Sequence, residues 1–296
     1  MGIYPKLVLM AVFWGGTFIA GRVIAQDVPP FSAAFARFVV ASVVLLAVVL
    51  HKHRTLPPLR SRMIMPVVLL GLTGVFAYNA LFLGGLKTVL AGRAALIVAL
   101  NPVLVTFFSY IFFQERLDWL KSLGMVMCLA GAVLVITRGQ ISQLWQGGLG
   151  WGELFIFGCV LSWTAYSLIG KVVLANLSPL IAVTYSCVIG TAALFFPALA
   201  EGMAGSFHTY PQSSWLGIIY LGLFGTVFAF IWYYQGIKIL GPSRTSLFIN
   251  LVPVSAVFMA FVILKEPLEV SLLMGTILVT IGLFLTNRSL SPAEAK

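Results

Sequence analysis

Hydrophobic residues in this chain come in long runs, without the strict alternation of half-buried strands. A helix needs about 20 mostly apolar residues to cross the hydrocarbon of a bilayer, and ten runs of that kind follow one another. Backbone groups in lipid have no water partner, and barrel strands would alternate, so the pattern predicts membrane-spanning helices. The predicted spans are residues 4–24, 31–50, 64–84, 90–113, 119–137, 151–173, 179–199, 215–236, 243–264 and 270–287.

The chain also repeats itself once, with corresponding residues 149 to 151 positions apart. WGGTFIAGRV from Trp14 matches WTAYSLIGKV from Trp163, and LGLTGVFA from Leu70 matches LGLFGTVF from Leu221. Each copy holds five predicted spans. Because five is an odd number, the second copy enters the membrane from the opposite face, which predicts an inverted repeat around a central cavity. We assign the copies to residues 1–138 and 151–288, a linker loop to 139–150 and a disordered tail to 289–296.

Composition excludes a soluble protein and indicates an orientation. Hydrophobic residues make up 60% of the chain and charged residues 9%, and the mean hydropathy is +1.05. With the N-terminus inside, most of the 18 basic residues fall on the cytoplasmic side, as the positive-inside rule requires. We therefore expect both termini in the cytoplasm and membrane lipid as a partner. The net charge of +10 comes without a nucleic-acid motif, so no nucleic acid is expected.

The signatures of enzymes and metal sites are missing. H-E-x-x-H and G-x-S-x-G do not occur, so an intramembrane enzyme is the weaker interpretation. His51 and His53 lie beside Lys52 and Arg54, whose positive charge opposes metal binding. We expect no metal and no cofactor. Three cysteines without C-x-x-C spacing are interpreted as small apolar fillers: Cys128, Cys159 and Cys187.

Three features recur in both copies and together resemble a known family. Each copy has a tryptophan in its first span and an Arg-x8-Pro run in its fourth. The fourth-to-fifth junction reads QERLDWLKSLG from Gln114 or KEPLEVSLLMG from Lys265. The chain thus resembles the EamA-type branch of the drug/metabolite transporter superfamily. That resemblance implies a ten-helix carrier in a bacterial inner membrane, with cavity walls from spans 1 to 4 and 6 to 9 and with spans 5 and 10 peripheral.

Within that branch, the length and aromatic content are similar to those of bacterial amino-acid exporters, especially exporters of aromatic amino acids. The resemblance implies export of small amphipathic metabolites, and the inverted halves predict alternating access. We expect a monomer more than a dimer. Export of other metabolites or drugs, and a membrane channel, remain alternatives. Inverted halves favour two alternating states over a symmetric pore.

Two prolines occupy matched positions near the middle of the fourth and ninth spans. Pro102 and Pro253 each remove a backbone hydrogen bond, which predicts either matched hinges or static bends. Asn101 precedes the first proline and Asn250 lies three residues before the second. An amide at this depth faces protein or a cavity, so these side chains bind substrate or hold helices together.

A group of aromatic and polar residues lies away from the interfacial zone where tryptophan usually rests. Trp14 and Trp163 correspond to each other, and Tyr166 follows Trp163 by three positions on the same helical face. Tyr78 and Asn79 lie in the middle of the third span. These residues predict a pocket for an amphipathic or aromatic solute, with core packing as the alternative for each ring.

Charged residues inside the spans are rare. Arg37 lies within the second span, where it either clamps carbonyls or binds a substrate carboxylate. The acidic residues fall in loops or at span ends, with Asp118 predicted to cap the fifth helix. Without a carboxylate at the midplane, we expect no proton relay, and transport that runs down the gradient of the substrate or is only weakly coupled.

Overall fold

The computed structural model describes residues 2–114, 119–136, 139 and 150–288, and every long element in these ranges is a helix. The predicted linker 139–150 lies outside them except for Gly139 and Gly150. The predicted tail 289–296 and the predicted cap Asp118 lie outside them as well.

Ten helical segments make up the bundle. They are α1 (Ile3–Asp27), α2 (Pro30–His53), α3 (Ser61–Leu86), α4 (Ala91–Phe113), α5 (Trp119–Ile136), α6 (Trp151–Leu174), α7 (Pro179–Ala200), α8 (Gln212–Leu240), α9 (Pro242–Leu264) and α10 (Val270–Arg288). Eight of them are long and apolar enough to cross a membrane. In α5 and α10 the described apolar stretches are shorter, Ser122–Gly131 and Val270–Gly282. The protein is therefore an all-helical multi-pass membrane protein, and ten full spans stay a prediction.

Both copies of the LGL-containing repeat form π-helix. The π-helical segments are Gly71–Ala77 in the middle of α3 and Leu223–Phe228 in the middle of α8. A π-helical turn shifts the hydrogen-bond register and leaves carbonyls open to other donors, which is why such turns are common at functional sites. The repeated octapeptide thus encodes a local irregularity in each copy.

The fourth and ninth segments are broken near their prolines. Helix α4 consists of α4a (Ala91–Val98) and α4b (Asn101–Phe113), and Pro102 lies in the first turn of α4b. Helix α9 consists of α9a (Pro242–Ser246), a 3-10 turn (Leu247–Asn250) and α9b (Leu251–Leu264), which contains Pro253. Pro102 therefore lies in the first turn of a helix, where a backbone N–H has no intrahelical acceptor. The missing N–H of proline costs no hydrogen bond there. Whether either break works as a hinge stays a prediction.

The first helix of each copy packs against helices of the other copy. Helix α1 packs against α8 and α9, while its counterpart α6 packs against α3 and α4. Corresponding helices also pair directly, α2 with α7 and α5 with α10. Three pairs of corresponding residues touch across the interface: Trp14 with Trp163, Ser42 with Thr191, and Cys128 with Val279.

The close approach of α5 and α10 reveals their relative direction. A Cβ atom on Gly131 would lie 2.9 Å from the carbonyl oxygen of Gly275, and one on Gly282 would lie 2.6 Å from that of Gly124. Residue numbers therefore rise along one helix as they fall along the other. The fifth helix of one copy runs antiparallel to the fifth helix of the other.

One glycine of each π-helical segment also contacts the first helix of the other copy. Gly74 of α3 lies against the Tyr166 ring of α6, and Gly225 of α8 lies against Thr17 of α1. Gly225 is the counterpart of Gly74 at an offset of 151, and Tyr166 is the counterpart of Thr17 at an offset of 149. Each copy thus uses one glycine of its π-helical segment to approach the first helix of the other copy.

Substitution of Gly282 by alanine is expected to destabilise the protein. The added methyl group would meet backbone atoms, Gly124 O at 2.6 Å and Cys128 N at 2.8 Å, which cannot rotate away. Overpacking of this kind costs about 1–3 kcal/mol, so the thermal midpoint in detergent should fall. Gly205→Ala is the control, since a Cβ there meets nothing within 4 Å. Equal midpoints for the two variants would show that α5 and α10 are not packed this closely.

Candidate functional site

A small cavity lies between the two copies and is lined by residues of α1, α2, α3, α4, α6, α8 and α9. It offers about 30 Å³ to the centre of a water-sized sphere, which accommodates one or two water molecules. Five of the predicted site residues line it: Trp14, Arg37, Tyr78, Asn101 and Trp163. The cavity is too small for a solute of amino-acid size in this arrangement of the helices.

Aromatic rings form one wall of the cavity. Trp163 lies at the centre of the group, with ring centroids 5.2 Å from each of Trp14, Tyr78 and Phe230. Trp14 and Trp163 are arranged edge to face at 87°, a favourable geometry for aromatic pairs. The two tryptophans are the first-helix residues that the repeat places in register, so this wall is shared by both copies.

A buried positive charge lies beside these rings. Arg37, 3% exposed, donates to Asn79 Oδ1 at 2.7 Å, Thr226 Oγ1 at 3.0 Å and the carbonyl of Gly225 at 3.4 Å. All three acceptors are neutral, and no carboxylate of the described part of the chain forms an ion pair with it. A guanidinium has five N–H donors, so two are not engaged by these bonds.

The π-helical segments hold these polar side chains in place. The carbonyl of Gly225 accepts from Trp14 Nε1 at 3.0 Å as well as from Arg37. In the other copy, Asn79 Nδ2 donates to the carbonyls of Gly74 and Val75, at 3.3 Å and 2.8 Å. The irregular backbone therefore supplies acceptors at membrane depth, where water is absent.

Trp163 Nε1 makes no hydrogen bond of regular geometry with a described group, although it interacts with the hydroxyl of Tyr233. Its counterpart Trp14 donates to Gly225 O, whereas the corresponding carbonyl of Gly74 accepts from Asn79 of the same helix. Asn101 Oδ1, on the cavity wall at the start of α4b, is likewise without a partner in this part of the structure. Trp163 and Asn101 thus add a donor and an acceptor without regular hydrogen bonds to the cavity wall, beside the N–H groups of Arg37 that its own hydrogen bonds do not engage.

The remaining predicted residues lie at or behind the wall. Asn79 contacts Arg37 and does not line the cavity. Tyr166 packs behind Trp163, stacked on Tyr234 with centroids 4.9 Å apart. The Asn250 side chain lies outside the described side chains, although Ile249 beside it lines the cavity.

Sequence reasoning did not single out seven other lining residues. Most are apolar, and in a chain this hydrophobic nothing separates them from ordinary core residues before the fold is known. One signal was available for Phe230, which is the counterpart of Asn79 at an offset of 151. The seven residues are Thr17, Phe18, Phe82, Val98, Phe230, Ile249 and Val252.

Described carboxylates lie at helix ends and not at the cavity. Glu266 accepts from the backbone N–H groups of Ala91 and Gly92 at the start of α4a, at 3.0 and 3.2 Å. Glu201 accepts from the backbone N–H of Ser32 in the first turn of α2, at 2.8 Å. These carboxylates bind open N–H groups at the positive ends of helices, an anchoring role.

The membrane-length helices and the polar and aromatic cavity place this protein in the class of helical multi-pass membrane proteins with a central cavity. The profile of the EamA-like transporter family matches the chain twice, over residues 3–137 and 150–288. The chain belongs to this family of transporters.

Similar proteins extend over nearly the whole chain. An uncharacterized transporter of Bacillus subtilis, YyaM, is 31% identical over 282 residues, covering 95% of this chain and 92% of the relative. A probable terminal-alkyne amino-acid exporter of Streptantibioticus cattleyicolor is 28% identical with the same coverage. A solved crystal structure matches with a TM-score of 0.69 at 21% identity, over 95% of this chain and 96% of that one. It shares the fold.

Proposed function

We propose that this chain is a secondary carrier that exports neutral or aromatic amino acids, or amphipathic metabolites of similar chemistry, across a bacterial inner membrane. The observation that carries the proposal is the pairing of Arg37, which has only neutral partners, with the aromatic wall of Trp14 and Trp163. A buried cation of this kind favours a carboxylate. Aromatic rings suit an apolar side chain and bind an ammonium group through cation–π contact.

Alternating access between two inverted halves is the mechanism we infer. The antiparallel pairing of α5 with α10 supports the inversion, and so does the exchange of contacts at Gly74 and Gly225. In carriers built this way, one half rocks against the other around a site near the midplane. A cavity too small for the solute suits a conformation closed on both sides, between the two open ones.

On this proposal the chain acts as a monomer, with both termini in the cytoplasm. The relative named as a probable amino-acid exporter supports the solute class. Export of other metabolites or drugs is the alternative in the same family, and a channel is the alternative mechanism.

The test is transport by the purified protein in proteoliposomes, with a panel of radiolabelled amino acids. We expect saturable uptake that unlabelled solute on the opposite side accelerates, because a carrier returns faster when loaded. An imposed pH gradient should not drive accumulation, because described carboxylates lie at helix ends and not at the cavity. Uphill accumulation driven by pH would contradict the uncoupled mechanism, and single-channel conductance would identify a channel.

A further inference from the structure

The inner face of α4b carries three buried side chains with unpaired oxygen atoms. Asn101 Oδ1, Thr106 Oγ1 and Ser109 Oγ make no hydrogen bond to any described group, and the three residues are at most 5% exposed. Buried helical hydroxyls elsewhere do pair, as when Ser167 donates to the carbonyl of Trp163 four residues earlier. An unpaired buried oxygen destabilises the conformation that buries it.

The polar character of this face is particular to the first copy. The counterparts of Asn101, Thr106 and Ser109 in α9b, at an offset of 151, are Val252, Val257 and Ala260. The shared fold therefore does not require polar residues here. The three polar side chains destabilise the closed conformation, because their oxygen atoms have no hydrogen-bond partner there. We therefore expect them to be hydrogen-bonded in another conformation.

Packing around α4b is also looser than around its counterpart. Helix α9b lies close against α1, where a Cβ on Gly15 would be 3.1 Å from the backbone nitrogen of Ala256. The corresponding pair, α4b and α6, leaves an apolar groove of about 470 Å³ between them. Thr164, the counterpart of Gly15, lines that groove together with Phe108 and Phe112.

We propose that the face of α4b bearing Asn101, Thr106 and Ser109 lines the aqueous path that opens from the central cavity between α4b, α6 and α9a. Helix α4b makes its most extensive described contacts with α6 and α9a. The path begins at Asn101 on the cavity wall and follows the helix through Thr106 to Ser109. Opening hydrates the three oxygen atoms, which offsets the loss of packing. With the N-terminus in the cytoplasm this is the cytoplasmic entrance, so the inference rests on the proposed function for its direction.

The test is cysteine accessibility in the full-length protein in open membrane fragments, with the three native cysteines replaced by serine. The probe is a charged, water-soluble methanethiosulfonate, which reacts with thiols that reach water. Ser109→Cys is compared with Val103→Cys, which is equally buried on the same helix but packs with Cys128 and Val279 of α5 and α10. We expect Ser109→Cys to react about tenfold faster or more. Equal rates for the two variants would overturn the proposal.

A second variant separates hydration from general loosening of the helix. Thr106→Val keeps the shape of the side chain and removes one unpaired hydroxyl, so it favours the closed conformation. In the Ser109→Cys background it should slow labelling by about tenfold while leaving the thermal midpoint unchanged or higher. Faster labelling with a lower midpoint would show that Thr106 serves packing, against the proposal.

The two proposals fail in different ways. If Ser109→Cys reacts faster than Val103→Cys but no amino acid of the panel is transported, the proposed solute is wrong and the proposed aqueous path is still supported. If amino acids are transported while Ser109→Cys is no more reactive than Val103→Cys, the path is wrong and the function remains.

Discussion

Replacement of Arg37 by glutamine is expected to abolish most transport of solutes that carry a carboxylate. Hydrogen bonds to charged groups contribute about 1.5–3 kcal/mol, so the transport efficiency for an amino acid should fall about 10- to 100-fold. Arg37 has only neutral partners in the described structure, which leaves its charge available to the solute. Transport of phenylalanine and of phenethylamine, which lacks the carboxylate, provides the comparison.

The alternative role for Arg37 is a clamp between α2, α3 and α8, and it predicts a different result. A clamp would lower transport of the amino acid and of the amine equally, together with the amount of folded protein. Thr226→Val is the matched control, because it removes one of the clamp bonds, 3.0 Å from Nε, and leaves the charge in place. We expect that variant to keep the preference for the carboxylate. A preference unchanged in Arg37→Gln would refute the substrate role.

Replacement of Trp163 by alanine is expected to give the second large effect, a loss of export of about tenfold or more with the protein still present in the membrane. The ring contacts Trp14, Tyr78 and Phe230 on the cavity wall. Its removal takes away the apolar surface against which the solute side chain would pack, and each buried aromatic of this size contributes several kcal/mol to packing. Export and protein level are measured together, because equal losses of both would indicate a packing role.

Phenylalanine substitutions separate the two tryptophans. Trp163 Nε1 makes no regular hydrogen bond, whereas Trp14 Nε1 donates to Gly225 O at 3.0 Å. Trp163→Phe should therefore keep the thermal midpoint. It should lower transport about three- to tenfold, because the solute loses one neutral hydrogen bond from Trp163 Nε1. Trp14→Phe should lower the midpoint, because it leaves a buried carbonyl with one donor fewer. A lower midpoint for Trp163→Phe would show that its N–H is paired in the folded protein.

The family assignment from the sequence is confirmed, and so is an all-helical multi-pass membrane protein. The reason is that lipid as a solvent imposes length and hydropathy on each span separately, which can be recognised without knowing any contact. Five predicted site residues also line one cavity, and two of them, Trp14 and Trp163, are corresponding positions of the repeat. Their role in binding stays a prediction.

Other features depend on pairs of residues that are distant in sequence. The helices are irregular near both mid-span prolines, and the repeated LGL segments form π-helix, neither of which the hydropathy pattern reports. The partners of Arg37 lie 42 and 189 residues away. The hydrogen bond from Trp14 to Gly225 O joins residues 211 positions apart.

The amino-acid sequence by itself determined the helices, the duplication, the family and the tryptophans of the central wall, since each of these is encoded by hydropathy or by the repeat. Only the tertiary structure decided which polar groups are satisfied and which are not. Whether a buried donor has a partner depends on how closely helices from different copies approach each other, as α1 and α8 do where Trp14 donates to Gly225 O. That distance is set by the packing of the whole bundle.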